Sequence, residues 1–296
     1  MNVGEAYAVC QRLVRAHYEN FPVASYLLPR PMRPHVAAIY AFARSADDFA
    51  DEGALSADQR LARLDDWLQR LKSCPAPGVH DGVSEADAIF VALANTIRER
   101  VLPIDLFEDL LSAFRQDVTT TRYESWPDVL DYCRRSANPV GRLVLRVAGH
   151  NNDELDRASD AVCTALQLTN LWQDVERDWR KGRLYVPLSD MRSFGARTED
   201  LEGPCLTESW RGVLSLMAGR TRALFDEGRR VCDGVSGRLR FELRMTWLGG
   251  RRILDALERD GFDVLTKRPT LGAGDVPALA WGALAWRASR HGLPGN

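Results

Sequence analysis

Lysine is almost missing from this 296-residue chain: Lys72, Lys181 and Lys267 stand against 36 arginines. A GC-rich genome accounts for such a bias; the other reading is that some arginines hold phosphate, which a planar guanidinium does well. Net charge is nearly missing too, with 39 basic against 41 acidic side chains. That excludes a nucleic-acid binder working through bulk positive charge. Long apolar runs are absent. The longest nearly uncharged stretch, Pro277 to Trp286, is about half of what a membrane-spanning helix needs. Met1 to Tyr18 carries Glu5, Arg12 and Arg15 and lacks the basic-then-apolar layout of a secretory signal. The six cysteines, at 10, 74, 133, 163, 205 and 232, include no CxxC pair. These absences point to a cytoplasmic chain whose cysteines serve as small core residues. A hydrophobic content of 45% with 27% charged residues argues against disorder.

What is present is helical periodicity. Apolar residues recur at three- and four-residue steps over Glu5–Tyr18, Arg33–Phe49, Ser56–Leu71, Ser84–Arg100 and Ile104–Val118. Longer runs follow over Trp126–Val147, Asp153–Arg180, Glu208–Cys232 and Ser236–Asp260, with a last amphipathic stretch over Val276–Arg290. Lys181 to Cys205, with its glycines and prolines, reads as irregular. No stretch shows sustained strand alternation between hairpin turns. The expectation is a single all-α domain over residues 1–296, with roughly ten helices.

Two constellations carry chemistry. In Arg44-Ser45-Ala46-Asp47-Asp48-Phe49-Ala50-Asp51, Asp47 and Asp51 lie four apart on one helix face, and Arg44 joins them. In Gln167-Leu168-Thr169-Asn170-Leu171-Trp172-Gln173-Asp174 and on to Asp178, four oxygen-bearing side chains (Gln167, Asn170, Asp174, Asp178) line another face among bulky apolar neighbours. Each stripe alone suits a hydrated surface. Two of them in one helical chain suit oxygen ligands for Mg²⁺, which keeps waters and needs few protein carboxylates. Such ions could neutralise a diphosphate leaving group and favour carbon–oxygen ionisation. His35, His80, His150 and His291 show no metal-ligand spacing.

In this order and spacing the chain resembles the squalene/phytoene synthase family. The resemblance rests on Tyr40-Ala41-Phe42-Ala43-Arg44-Ser45-Ala46-Asp47-Asp48 with Asp51, on Pro103 through Asp117, and on Arg122-Tyr123 and Tyr132-Cys133. It continues through Gln167-Leu168-Thr169-Asn170 with Asp174 and Asp178, and then Gly182-Arg183-Leu184-Tyr185-Val186-Pro187. Three places depart from the family pattern. Tyr18-Glu19-Asn20-Phe21 replaces Ser-Lys-Ser-Phe, Ser136-Ala137-Asn138-Pro139-Val140-Gly141 replaces Val-Ala-Gly-x-Val-Gly, and Gly250 replaces a tyrosine. The first two departures look like one branch, the bacterial hydroxysqualene synthases of hopanoid pathways.

The resemblance implies the isoprenoid synthase fold, helices around a central apolar cavity, and an enzyme acting on an isoprenoid diphosphate. For that branch the substrate is presqualene diphosphate, and water capture gives hydroxysqualene plus diphosphate. Asp47, Asp51, Asn170, Asp174 and Asp178 would then hold Mg²⁺, and no nicotinamide cofactor is expected. Arg44 and Arg183 would contact diphosphate, with His17, Asp48, Asp117 and Gln167 also on the substrate. Tyr132 and Tyr185 would line the reaction chamber, Tyr132 as proton acceptor or relay; each also suits a buried core tyrosine. Asn138, beside a mid-helix Pro139 that frees a backbone carbonyl, would help place the water; alternatively Pro139 only bends the helix. Gly249-Gly250 either widens the cavity or lets helices pack closely. A lipid substrate suits peripheral membrane contact through Ala278–Trp286 and work beside other hopanoid-pathway enzymes, although core packing suits the same stretch. Two rivals remain: a condensing synthase making presqualene diphosphate or phytoene, and a non-catalytic relative acting in assembly.

Overall fold

The computed structural model describes residues 1–16, 27–51, 55–73 and 84–287. Among them there is no strand, only an isolated backbone bridge between Arg122 and Leu184. The helices are α1 (Val3–Ala16), α2 (Arg33–Asp51), α3 (Ala57–Ser73), α4 (Glu85–Arg100), α5 (Asp105–Thr119), α6 (Trp126–Ser136) and α7 (Asn138–Val147). They continue with α8 (Asp153–Gln173), α9 (Val175–Arg180), α10 (Leu188–Phe194), α11 (Glu208–Gly228), α12 (Val231–Gly234), α13 (Gly237–Arg259) and α14 (Val276–Leu284). The residues group into two compact units. One comprises Met1–Thr119 with Pro139–Asn152, the other Thr120–Asn138 with Asp153–Asn296.

The first unit is organised by α2. Its residues His35, Ala38, Ile39, Phe42, Ala46 and Ala50 recur at helical spacing and are buried. Phe42 is fully enclosed, stacked on Trp67 of α3 at 5.9 Å and edge-on to Phe90 of α4 and Phe107 of α5 at 6.0 and 5.5 Å. Such aromatic pairing adds to the burial of the rings themselves. With that face committed to the core, the opposite face of α2 presents Tyr40, Arg44, Asp47, Asp48 and Asp51. Helix α4 begins with a reciprocal cap: Ser84 Oγ accepts from the Asp87 N–H at 3.2 Å, and an Asp87 carboxylate oxygen accepts from the Ser84 N–H at 3.4 Å.

The second unit is organised by α8, which is buried on most of its circumference. Helix α11 lies against it closely. A Cβ on Gly228 would fall 2.6 Å from Val162 Cγ2 and 2.7 Å from the Ala158 carbonyl oxygen, so only glycine fits. The Trp172 indole donates to Thr221 Oγ1 at 2.9 Å, which satisfies the polar end of a fully buried ring. A Cβ on Gly250 of α13 would meet Leu166 Cδ2 at 2.5 Å and Phe225 Cζ at 2.7 Å. Gly250 therefore serves close packing, not a widened space.

Three expectations are corrected. The run from Trp126 to Val147 is two helices: Ala137, at φ −120° and ψ −45°, ends α6, and Pro139 is the second residue of α7. A proline in the first turn gives up an N–H that has no helical partner there, so Pro139 starts a helix and does not kink one. The run from Asp153 to Arg180 divides at Asp174, at φ −104° and ψ 14°. Its register survives, because the Asp174 N–H reaches the Asn170 carbonyl at 2.9 Å and the Asp178 N–H the Asp174 carbonyl at 2.8 Å. Lys181–Cys205 contains α10 and a 3-10 turn over Thr198–Glu202. Of the cysteines, Cys10, Cys133 and Cys232 are buried and Cys163 is half-buried, but Cys205 is exposed; Cys74 lies outside the described residues.

Candidate functional site

Each unit carries one of the two acidic stripes. On α2, Arg44 bridges its neighbours: Nη1 lies 3.0 Å from Asp47 Oδ2 and Nη2 2.6 Å from Asp48 Oδ1. Helix α5, packed on α2, adds Asp117. Burial pushes the Asp47 carboxyl up to about 7; the charges of Asp51, Asp117 and Asp48 push the same way, and Arg44 opposes them. The spacing reading of Asp47 and Asp51 thus becomes a crowd of four carboxylates with Arg44 at its edge. Tyr40, one turn before Arg44, joins this face. Its hydroxyl is buried with no hydrogen-bond partner; burial, against the pull of Arg44 and with the help of Asp48 and Asp47, raises its pKa and so keeps the phenol protonated.

The second stripe is held differently. Asn170 Nδ2 donates to Asp174 Oδ2 at 2.8 Å. Arg268, from the segment between α13 and α14, grips the same carboxylate as a fork, with Nε on Oδ1 at 2.5 Å and Nη2 on Oδ2 at 2.9 Å. That bond raises the arginine's pKa. Gln167 is half-buried one turn before the exposed Asn170, and Asp178 is half-buried one turn after Asp174. The Arg183 N–H binds the Asp178 carbonyl at 2.8 Å, which sets the chain beyond α9.

From there residues 184–189 run beside 121–124. Leu184 donates to Thr121, Leu188 to Tyr123 and Ser189 to Glu124, at 2.9, 3.0 and 3.0 Å. This docking brings Tyr185 against Tyr123 and Tyr132. The three ring centroids lie 5.3 to 5.7 Å apart, and all three residues are buried. Asn138, at the break after α6, is also buried. Its amide oxygen accepts from Thr164 Oγ1 of α8 at 2.9 Å. His17 lies outside the described residues.

Among the described residues no three His, Cys, Asp or Glu side chains form a ready-made metal cage. The donor set still fits Mg²⁺: all oxygen, sparse, and able to share the ion with waters and substrate phosphates. The strongest local sign is the upward push on Asp47, which a bound cation would relieve. Asp47 and Asp51 in the first unit, and Asn170, Asp174 and Asp178 in the second, are the oxygen donors that each stripe would offer a cation. Sequence spacing missed Tyr40, Tyr123 and Arg268. The first two stand inside motifs and could have been found there. Arg268 is 94 positions from Asp174 and leaves no local signal.

A family model described as "Squalene/phytoene synthase" matches residues 14–275. A hydroxysqualene synthase of Zymomonas mobilis is 42% identical over 91% of this chain and 88% of its own. One of Rhodopseudomonas palustris is 36% identical over 90% and 88%. A 15-cis-phytoene synthase of Synechococcus elongatus is 29% identical over 90% and 88%. The crystal structure of squalene synthase HpnC from Alicyclobacillus acidocaldarius superposes with a TM-score of 0.81 at 42% identity, covering 88% of this chain and 96% of that one. A ligand-bound dehydrosqualene synthase, 21% identical, shares the fold with a TM-score of 0.84 over 96% of each chain.

Proposed function

Because the chain belongs to the squalene/phytoene synthase family, we propose that it is a hydroxysqualene synthase that converts presqualene diphosphate and water into hydroxysqualene and diphosphate. The observation that carries this reading is likeness along nearly the whole chain: relatives bearing that name are 35 to 42% identical over about nine-tenths of it. Three phytoene synthases among the relatives are 27 to 29% identical.

Bound Mg²⁺ would neutralise the departing diphosphate. Asp47 and Asp51 of α2 on one stripe, and Asn170 of α8, Asp174 just beyond it and Asp178 of α9 on the other, would be its oxygen donors. Arg44 and Arg183, with Asp48, Asp117, Gln167 and His17, serve the diphosphate end of the substrate. Loss of diphosphate leaves a carbocation, which the faces of buried aromatic rings favour over bulk water. One water adds its oxygen to that cation and gives up one proton, so no reductant is consumed. Tyr132, pressed between Tyr123 and Tyr185, takes or relays the proton. Asn138, whose amide oxygen already accepts from Thr164, holds the water through its amide N–H₂.

The polyisoprene substrate enters from a lipid phase. Among the described residues no helix is long and apolar enough to cross a membrane. Helix α14 suits peripheral contact. It has no charged residue from Val276 to Trp286, and Trp281 and Leu284 are 72% and 70% exposed. Indole rings favour the bilayer–water boundary.

The test is to incubate the protein with Mg²⁺ and either presqualene diphosphate or farnesyl diphosphate, without nucleotide, and to identify products by mass spectrometry. A C30 alcohol from the first substrate alone is expected. Presqualene diphosphate formed from farnesyl diphosphate would instead show a condensing synthase, and no product from either would favour a non-catalytic relative.

A further inference from the structure

Asp174, in the second stripe, is held from two sides. An ionised carboxylate has about four lone-pair sites. Arg268 takes two of them as a fork and Asn170 a third. A two-pronged arginine on a half-buried carboxylate is among the stronger ion pairs. Any cation that coordinates Asp174 therefore competes with a positive charge already within hydrogen-bonding distance.

The segment that delivers Arg268 is tied at both ends. At its start, Gly261 and Phe262 both take left-handed backbone, at φ 63° and 56°. Phe262 is nonetheless buried, with its N–H on the Leu257 carbonyl at 2.8 Å. A bulky aromatic at positive φ is strained and persists only where its surroundings hold it. At the other end, the Gln173 side-chain amide donates to the Pro269 carbonyl. So the last residue of α8 and the first beyond it, Gln173 and Asp174, together latch the chain at Arg268 and Pro269.

We infer that Arg268 is a built-in rival to the metal at Asp174. It holds the second stripe in its resting arrangement, and metal binding there displaces the fork and loosens the latch over Phe262–Leu271. The inference rests on the metal reading given above and adds a residue that sets metal affinity without being a ligand. Arg268 is a positioning residue in this scheme. Its removal strengthens metal binding, whereas removing a ligand weakens it.

The experiment is Mn²⁺ binding, followed by the electron paramagnetic resonance of the free ion, on the full-length protein and its variants. Arg268→Gln is expected to bind Mn²⁺ about tenfold more tightly, the order expected for losing a charge-assisted pair. Arg268→Lys keeps the charge without the fork and is expected to show a smaller gain; it carries the test if the Gln variant fails to fold by circular dichroism. Lys267→Gln removes an equal charge next door and is expected to change affinity less than about twofold. Adding Asp174→Asn to Arg268→Gln should abolish the gain, which places it at this carboxylate. In the wild type, Mn²⁺ should speed amide hydrogen exchange across Phe262–Leu271. If the arginine variants bind Mn²⁺ no better than wild type, or the Lys267 variant gains as much, the inference is overturned while the metal reading stands. Exchange that Mn²⁺ leaves unchanged overturns the latch. If no variant binds Mn²⁺ at all, both readings fall together.

Discussion

Glu242 of α13 gives the sharpest stability prediction. It is 3% exposed, and neither carboxylate oxygen has a hydrogen-bond partner. Burial pushes its carboxyl from an ordinary 4.5 up to about 8. The folded protein therefore keeps a proton that the unfolded chain loses above pH 4.5. Stability from this group is fully present below about pH 4.5 and is lost as the pH climbs through about 8. Each pH unit in that window costs about 1.4 kcal/mol. Between pH 5 and pH 8 the loss reaches about 4 kcal/mol, trimmed to about 2–4 by local relaxation and water entry. Glu242→Gln keeps the shape and cannot ionise. Its advantage over wild type should be small or negative at pH 5 and should grow to roughly 5–10 °C in Tm by pH 8. The assay is thermal unfolding of both proteins across that range. Other titrating groups, such as His35, whose pKa is lowered by burial and by Arg100, cancel in the difference. A wild-type-minus-variant Tm difference that stays flat with pH would refute the reasoning, because it would mean that Glu242 is ionised, or solvated, in the folded state.

Three further outcomes are expected. Thr164→Val removes the donor to the buried Asn138 oxygen and should cost about 1–3 kcal/mol in urea unfolding, with a smaller alcohol fraction among the products. Gly250→Ala forces a methyl against Leu166 and Phe225 and should cost about 1–3 kcal/mol, measured in the same way. Replacing both Trp281 and Leu284 by serine should lower co-sedimentation with phospholipid vesicles several-fold, at unchanged Tm, since both side chains are exposed.

Helices were most legible where one face is committed to the core. The buried positions of α2, from His35 to Ala50, follow the 3.6-residue period, and this alone puts Asp47 and Asp51 together on the other side. Where helices end was less legible. Neither Ala137 nor Asp174 stops a helix by itself; the first break sits before Pro139, and at the second Asp174 is gripped by Arg268, 94 positions away. Helix α10 was hidden by its borders, a proline before it and Gly195 at φ 70° after it. The tyrosine cluster needed a docking of residues 184–189 on 121–124 that no local pattern encodes. The exposure of Trp281 bears on the two readings of Ala278–Trp286 that the sequence left open. Helix α14 buries only Leu279 and Ala283, and composition does not say which face that is.

The tight seats of Gly228 and Gly250 bear on how this protein could be diversified. Together they hold α8 close against α11 and α13, with least slack at Gly228, where an added methyl group would meet backbone atoms. A library that randomises either position would be emptied mainly by misfolding, and its survivors would report on packing instead of product choice. Variation is better tolerated where a side chain ends in open space or in a polar contact that can be exchanged. Asn138 and Arg268 end in polar contacts of that kind, to Thr164 and to Asp174. A search for altered products should leave the backbone of α8 fixed and start from those two.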